Sequence, residues 1–591
     1  MLRQLSDIAT PRLPPRSPAG ALVFASPSRS RQAWIPCLIV LLALAAGIGL
    51  RDPSPPDEPR FVLAARAMVE SGQWLVPHRG HELYAEKPPV FMWLQAAAYT
   101  VVGQWRIAFL LPSLAAALAT LWLTWDLARR LWSPRVAWYA AGALWVCLQF
   151  GLQAKRGQID MVLVAMTTLS LWALLRHLLV APSHPLLWLG AFAAGVGTVT
   201  KGVGFLPLLV FIPWLALRYG HSGGQAVSRQ RKNWWLEATL AYVAGTAVWL
   251  GPLLGTVAAH PDPELMAYAA ELLFKQTGTR YANAWHHVQP WWYYAQVVAT
   301  LWLPGALLLP WLVPAWLRRI RRRDPRFVLL LGWAALVLLF FSLSPGKREV
   351  YIFPALPALC VAAAPLLAGL LRKRGVRRVL TGYLVVLSGL VAALAVAAMS
   401  GWSEWARKLA TQRDIPVADM HAVLCWLLAL GIVGLLLAIA TASTRLRAGG
   451  ALVLFTCALW IAYGIGIAPA IDASSSARRI MQKAEQRIGP KAELGLIAWR
   501  EQHLLQARQP AAEFGFKAPW YEQWRHAAAW VAAAPEQRWI FVLAEALGPC
   551  VDRDRAIDIG TSNRRDWWLV PGTAVIAGCE TPDFHENGDD P

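Results

Sequence analysis

The stretch LRRIRRRDPRFVLLLGWAALVLLFFSLSPGKREV, residues 317–350, carries the reading of the fold. Arginines crowd Arg318 through Arg326, Phe327 to Leu343 hold no charge, and Lys347 and Arg348 follow directly. An uncharged run of nearly the ~20 residues that cross a bilayer's hydrocarbon core, with basic residues massed on one flank, is the signature of a membrane span held by its retained side.

Outward from this stretch the pattern recurs. Of 591 residues, 57% are hydrophobic and only 15% charged, against about 25% charged in ordinary soluble domains. A disordered, collagenous or multi-domain cytosolic chain is excluded. Apolar runs stand near 34–50, 106–127, 136–150, 160–180, 185–200, 203–217, 235–256, 291–316, 327–343, 350–371, 379–399, 420–442 and 449–468. These thirteen runs predict a polytopic α-helical membrane protein of about 13 transmembrane helices.

The net charge of +21, from 56 Lys and Arg against 35 Asp and Glu, fits the same picture. Basic residues gather between alternate runs, at Arg129, Arg130 and Arg135, at Arg229, Arg231 and Lys232, at Arg318 through Arg326, at Arg372 through Arg378, and at Arg445 with Arg447. Alternation puts these on one side, with a basic cytoplasmic tail over 1–33. A cleaved signal peptide is the competing reading of the N-terminus, but the polar segment before the first run is unusually long for one. No recognition helix, zinc spacing or aromatic-basic pattern indicates nucleic acid.

With an odd number of spans, 51–105 and everything after about 468 fall on the outer side. The transmembrane domain then covers 34–468. Its 51–105 loop, with apolar pieces Phe61 to Val69 and Val90 to Val102, predicts amphipathic helices lying on the membrane surface. The segment 469–591 alternates helix-like stretches (Ala477 to Ile488, Trp520 to Ala533) with strand-like ones (Leu494 to Trp499, Trp539 to Leu543, Trp567 to Val570), so a small α/β periplasmic domain is expected. Cys550 and Cys579 share this segment, and a location outside the cytoplasm would permit a disulfide between them; the other five cysteines lie in apolar runs.

The informative charges are the outer ones: Asp57, Glu58, Arg60, Arg66, Glu86 and Lys87, then Lys155, Arg156 and Asp160, Lys201, Lys275 and Arg280 with His286 and His287, and Lys347 and Arg348 before Tyr351. Basic groups from separate loops on one face suit an anionic lipid headgroup. Each residue alone leaves two readings open. Asp57, held among Pro55, Pro56 and Pro59, serves as a base or orienting carboxylate, or as the cap of a helix from Arg60 to Ser71. Lys87 pairs with phosphate or snorkels, and Asp160 is functional or a helix cap. Arg280 grips phosphate or is a plain loop arginine, and His286 and His287 are ligands or interface residues. Glu86 with a histidine offers a divalent-ion site, although no cofactor is required by the sequence.

Several segments together resemble a known family. Asp57-Glu58-Pro59-Arg60-Phe61, Glu70 through His78 and Tyr84-Ala85-Glu86-Lys87-Pro88-Pro89 resemble the first outer loop of bacterial aminoarabinose (4-amino-4-deoxy-L-arabinose) lipid A transferases and the related protein mannosyltransferases, integral-membrane C-type (GT-C) glycosyltransferases. Gln158-Ile159-Asp160, Thr200-Lys201-Gly202, Arg280-Tyr281, His287 through Tyr294, Ser344 through Lys347 and Tyr351 through Pro354 are similar too. The resemblance implies the GT-C fold and transfer of a sugar from an undecaprenyl-phosphate-type carrier to lipid A or a related acceptor at the periplasmic face of a bacterial inner membrane. It implies Asp57 as catalytic carboxylate and Asp160 as a second acidic group. Lys87 and Arg280 would bind the donor phosphate, with Lys201 and Tyr351 lining the same cavity. Arg60, Glu86, His287 and Lys347 are further candidates. The family commonly has Ala and Tyr where Pro59 and Phe61 stand, so one hydroxyl contact is missing in this chain. Competing expectations are transfer of a hexose or mannose to protein or another glycan, and a lipid flippase or transporter, which would place charge at mid-membrane in broken helices.

Overall fold

The computed structural model describes residues 34–219, 233–273, 288–401, 404–442 and 447–576. Each of the thirteen apolar runs contains a helix, because uncharged sequence in hydrocarbon must satisfy its own backbone polar groups. Among the described residues, seven helices are long and apolar enough to cross a bilayer: Trp105–Leu131, Ile159–Leu179, Trp234–Ala259, Pro325–Leu343, Arg374–Met399, Val417–Ala442 and Ala448–Ser475. Trp34–Ala45, Leu206–Tyr219 and Ala355–Leu370 are shorter. The helix over 448–475 continues beyond 468 through a π turn at Ala462–Ile467.

The run expected as a span over 291–316 is instead two helices, Tyr293–Leu301 and Gly305–Arg321, bent by 101°. Pro304 sits in the break, where it lacks an N–H and its ring obstructs the preceding turn. Counting the bent pair as one span brings the number of long crossings to eight. Helices elsewhere approach closely through small residues: a Cβ on Gly195 would lie 2.3 Å from the Tyr242 carbonyl oxygen, and one on Gly245 2.3 Å from that of Phe192. Both positions need glycine because backbone meets backbone there.

The segment 51–105 contains the helices Glu58–Ser71 and Val90–Val102. In the helix Glu58–Ser71, Phe61, Ala64, Ala65 and Met68 pack into the core of the membrane helices, while Leu63 packs into a second core formed by the C-terminal residues. The helix Glu58–Ser71 is therefore clasped between two bodies. Its end is marked by Gly72 at φ 73°, the left-handed conformation that closes many helices.

The C-terminal part is a five-stranded sheet in the order Ala511–Glu513, Glu493–Ile497, Arg538–Leu543, Arg565–Pro571, Ile557–Ser562. The first three strands run parallel and the last two join antiparallel. Helices Arg478–Ile488, Glu501–Gln506 and Trp520–Ala532 accompany it, and Trp524, Phe541, Trp567 and Leu569 fill its core. Asn563 and Arg564, both at positive φ, turn the last hairpin. The pairing of Cys550 with Cys579 falls outside the described residues. Cys37, Cys147, Cys360, Cys425 and Cys457 are free thiols.

Candidate active site

The loop 51–58 is fixed by a carboxylate other than Asp57. Glu58, buried, receives Arg51 on both oxygens at 2.5 and 2.7 Å, the Ser54 N–H at 2.8 Å and the Gly157 N–H at 2.8 Å. Arg51 also donates to the Lys155 carbonyl at 2.9 Å. A buried ion pair with its remaining hydrogen-bonding capacity filled is tolerated and specifies one geometry. It ties the first outer loop to the start of the Ile159–Leu179 helix.

Asp57 stands at the cap position of Glu58–Ser71, yet its side chain makes no capping bond. Its Oδ2 instead accepts from Gln158 Nε2 at 2.9 Å and from Arg348 Nη2 at 3.2 Å, and its Oδ1 lies 3.9 Å from Arg60 Nη1. Burial alone would raise the Asp57 carboxyl, but Arg348, Arg60 and Lys201 outweigh it and hold the group below its ordinary range. The Arg348 guanidinium is correspondingly pushed up: burial works against it, and Asp57 and Asp160 more than compensate.

Asp160 and Lys201 form a close ion pair, and Lys201 Nζ lies 5.5 Å from the Tyr351 ring centroid. Tyr351 in turn packs on Phe341 at 5.2 Å. Asp160, Lys201 and Tyr351 thus come together beside Asp57. Lys201 is already partnered by Asp160, so a phosphate would share it with that carboxylate.

A second layer lies on the side of the C-terminal sheet. Glu86 holds Arg79 at 3.1 Å on one oxygen and Arg60 at 3.4 Å on the other. Glu501, buried, meets the same two arginines at 3.3 and 3.8 Å. Burial would raise Glu86, but Arg79, Arg60 and Lys87 bring it below the ordinary value. Both Glu86 oxygens face guanidinium groups. Among the described residues, no group of three or more His, Cys, Asp or Glu is arranged to hold an ion. Lys87 donates to the Glu86 carbonyl at 3.0 Å. Arg280 and His287, with Lys275 and His286, lie outside the described residues.

Lys347 turns away from the site. Its Nζ donates to the backbone carbonyls of Gln289 at 3.2 Å and Pro345 at 3.5 Å, while Arg348 reaches Asp57. The segment is extended where Gly346 bridges Val288, and successive side chains on extended backbone point to opposite sides. Arg79 and Glu501 are residues that the outer-charge pattern did not single out, and Arg348 stood in that pattern without a role of its own. The Lys347-Arg348 doublet was the one available signal for Arg348. Taken together, five cations (Arg60, Arg79, Lys87, Lys201, Arg348) face four carboxylates (Asp57, Glu86, Asp160, Glu501), and a fifth carboxylate, Glu349, acts on Arg348.

Residues 86–250 match the family model described as dolichyl-phosphate-mannose-protein mannosyltransferase, and residues 281–410 match the Alg9-like mannosyltransferase family. The chain is 31% identical over 358 residues to the undecaprenyl phosphate-alpha-4-amino-4-deoxy-L-arabinose arabinosyl transferase 2 of Pseudomonas fluorescens, covering 58% of each. It is 33% identical over 322 residues to the corresponding transferase of Pseudomonas aeruginosa, covering 52% of this chain and 54% of that one. The match thus spans somewhat over half the length of these curated relatives. The crystal structure of ArnT from Cupriavidus metallidurans bound to undecaprenyl phosphate is similar with a TM-score of 0.71 at 20% identity, over 92% of this chain and 98% of that one. The chain has the GT-C fold of integral-membrane glycosyltransferases and resembles the aminoarabinose transferases within it.

Proposed function

We propose that this multi-pass membrane protein is a glycosyltransferase that moves a sugar, 4-amino-4-deoxy-L-arabinose or a close analogue, from an undecaprenyl-phosphate-type carrier to lipid A or a related acceptor. The observation that carries the reading is the ion-pair cluster around Asp57, where cations from separate loops meet, on a fold shared with a carrier-binding protein. The donor is a phosphodiester with one negative charge. Cleavage sends the electron pair of the anomeric C–O bond to the carrier phosphate, which leaves with a second charge while the anomeric carbon becomes positive. Arg348, Lys201 and Lys87, with Arg280, would stabilise the leaving phosphate, and an acceptor oxygen closes the new bond.

Asp57 serves this reaction as an orienting and electrostatic group. A carboxylate held below its ordinary range by Arg348 and Arg60 is a weak base at neutral pH, because proton transfer is best matched near the working pH. Its field would stabilise positive charge at the anomeric carbon. This favours an acceptor that arrives ionised, such as a lipid A phosphate, over a hydroxyl that must lose a proton. The mannosyltransferase models that match 86–250 and 281–410 support a second reading, hexose transfer to protein or another glycan.

In this reading the site faces the periplasm of a bacterial inner membrane, and the N-terminus is cytoplasmic. The supporting feature is the massing of Arg129, Arg130, Arg319, Arg322 and Arg323 at the other end of the spans from Asp160. In this reading Glu86 serves to hold Arg60 and Arg79 beside the site.

The test is mass spectrometry of lipid A from cells with and without the protein, and with Asp57→Asn. A pentosamine increment present only with the unaltered chain is expected. An increment that survives Asp57→Asn removes that residue from its orienting and electrostatic role. No increment at all moves the acceptor elsewhere.

A further inference from the structure

A cavity of about 630 Å³ opens at the end of the bundle far from Asp57, lined by Leu179, Arg319, Arg322, Arg323, Asp324 and Arg326. The helix Ile159–Leu179 carries Asp160 at one end and Leu179 at the other, so the cavity and the candidate active site are about 30 Å apart along its axis. The two face opposite membrane boundaries.

Basic loops at this boundary are ordinary, since insertion retains them, but that requirement asks only for charge and not for a shaped recess. In this cavity the floor is fixed. Arg319 lies over the Phe327 ring at 5.1 Å and donates to the Ala315 carbonyl at 3.3 Å. Arg326 is gripped by Asp324 at 3.0 and 3.1 Å, donates to the Leu131 carbonyl at 3.2 Å and lies over Trp132 at 5.6 Å. Arg322 and Arg323 stand exposed at the rim, with no carboxylate partner among the described residues. Arg323 adopts φ 55°, unusual for a non-glycine residue, where the chain turns between two helices. Four guanidinium groups thus surround a recess whose one carboxylate, Asp324, is already bound by Arg326.

We propose that this recess binds the phosphoryl headgroup of an anionic phospholipid. The phosphate oxygens lie against Arg319, Arg322 and Arg323, whose planar forks suit phosphate, and the acyl chains run down the apolar flank near Leu179. Basic pockets between helices at this boundary recognise such headgroups, where aromatic and apolar residues meet the charged layer. The proposal does not depend on the glycosyl-transfer reading.

The test is native mass spectrometry of the full chain in detergent, with phosphatidylglycerol, phosphatidylcholine or inorganic phosphate added separately. Phosphatidylglycerol adducts are expected to persist where phosphatidylcholine is stripped, and Arg322→Ala with Arg323→Ala should lower their retention roughly ten-fold. Arg319→Gln, which alters the floor alone, should lower it too. Arg374→Ala with Arg377→Ala, which removes two exposed arginines from another basic loop, should leave retention unchanged. Equal retention by the rim variant, or equal loss in the Arg374 and Arg377 control, would overturn the site. Phosphate binding without preferential phospholipid retention would overturn the lipid as its occupant.

Discussion

Arg348→Ala is the sharpest probe of the candidate site. Arg348 Nη2 lies 3.2 Å from Asp57 Oδ2, and the two side chains are only 28% and 15% exposed. At an effective dielectric of about 20 the bare attraction at that distance is about 5 kcal/mol, an upper bound. Arg60 and Gln158 remain beside the carboxylate, so the net loss is that of one hydrogen bond to a charged group, about 2 kcal/mol. If the contact is made in the transition state, kcat/KM falls roughly 30-fold. The acid side moves as well. Burial pushes the Asp57 carboxyl up and Arg348 is the foremost group pulling it down, so removing Arg348 shifts the acid limb of the rate profile to higher pH. The assay is transfer of labelled sugar from a synthetic polyprenyl-phosphate donor to lipid A in proteoliposomes, across the acid range. Arg348→Lys keeps the charge without the fork and should fall between. An unchanged rate refutes the assignment. A lower rate with an unmoved acid limb refutes the link through Asp57, leaving Arg348 to act on the donor alone.

Other consequences are also measurable. Glu501→Ala leaves Arg79 with Glu86 alone and Arg60 with Glu86 and Asp57, and loss of one partner from a buried pair should cost about 3 kcal/mol, read as a lower unfolding temperature in detergent. His503 is buried, and burial followed by Arg500 pushes it down to about 3. Its unfolded form therefore binds the extra proton first, and stability present above the ordinary histidine value is lost as pH falls toward 3. His503→Leu should remove that contribution, worth at most about 1.4 kcal/mol per pH unit. Chelation by EDTA should leave the transfer rate unchanged, and a loss restored by added divalent ion would bring a metal into the reaction.

The membrane fold was legible because hydrocarbon forces uncharged runs and because basic clusters mark one boundary. Asp57, Asp160 and Lys201 could be named as candidates for the complementary reason, as charges at the boundary opposite the basic clusters, and the structure brings them together. What stayed hidden depends on direction or docking. Lys347 and Arg348 are equivalent in composition and differ only in which side of an extended segment each occupies. Arg79 and Glu501 meet across a separation of 422 residues, and no periodicity encodes that contact. The Ala511–Glu513 and Ile557–Ser562 strands are edge strands, half exposed and polar in part, so they lack the apolar alternation that marks their neighbours. The break at Pro304 lies within a run apolar enough to be read as one span.

The clasp on Glu58–Ser71 makes the frame around Asp57 depend on residues far along the chain. The helix that positions Asp57 completes its packing through Leu63 and residues 477–574, and Arg60 and Arg79 acquire Glu501 from the same body. In a chain whose membrane helices have formed while that body has not, Asp57 stands on a helix with one face bare. Under the proposed reaction, a protein truncated before residue 477 would hold the reacting residues without the frame that aligns them.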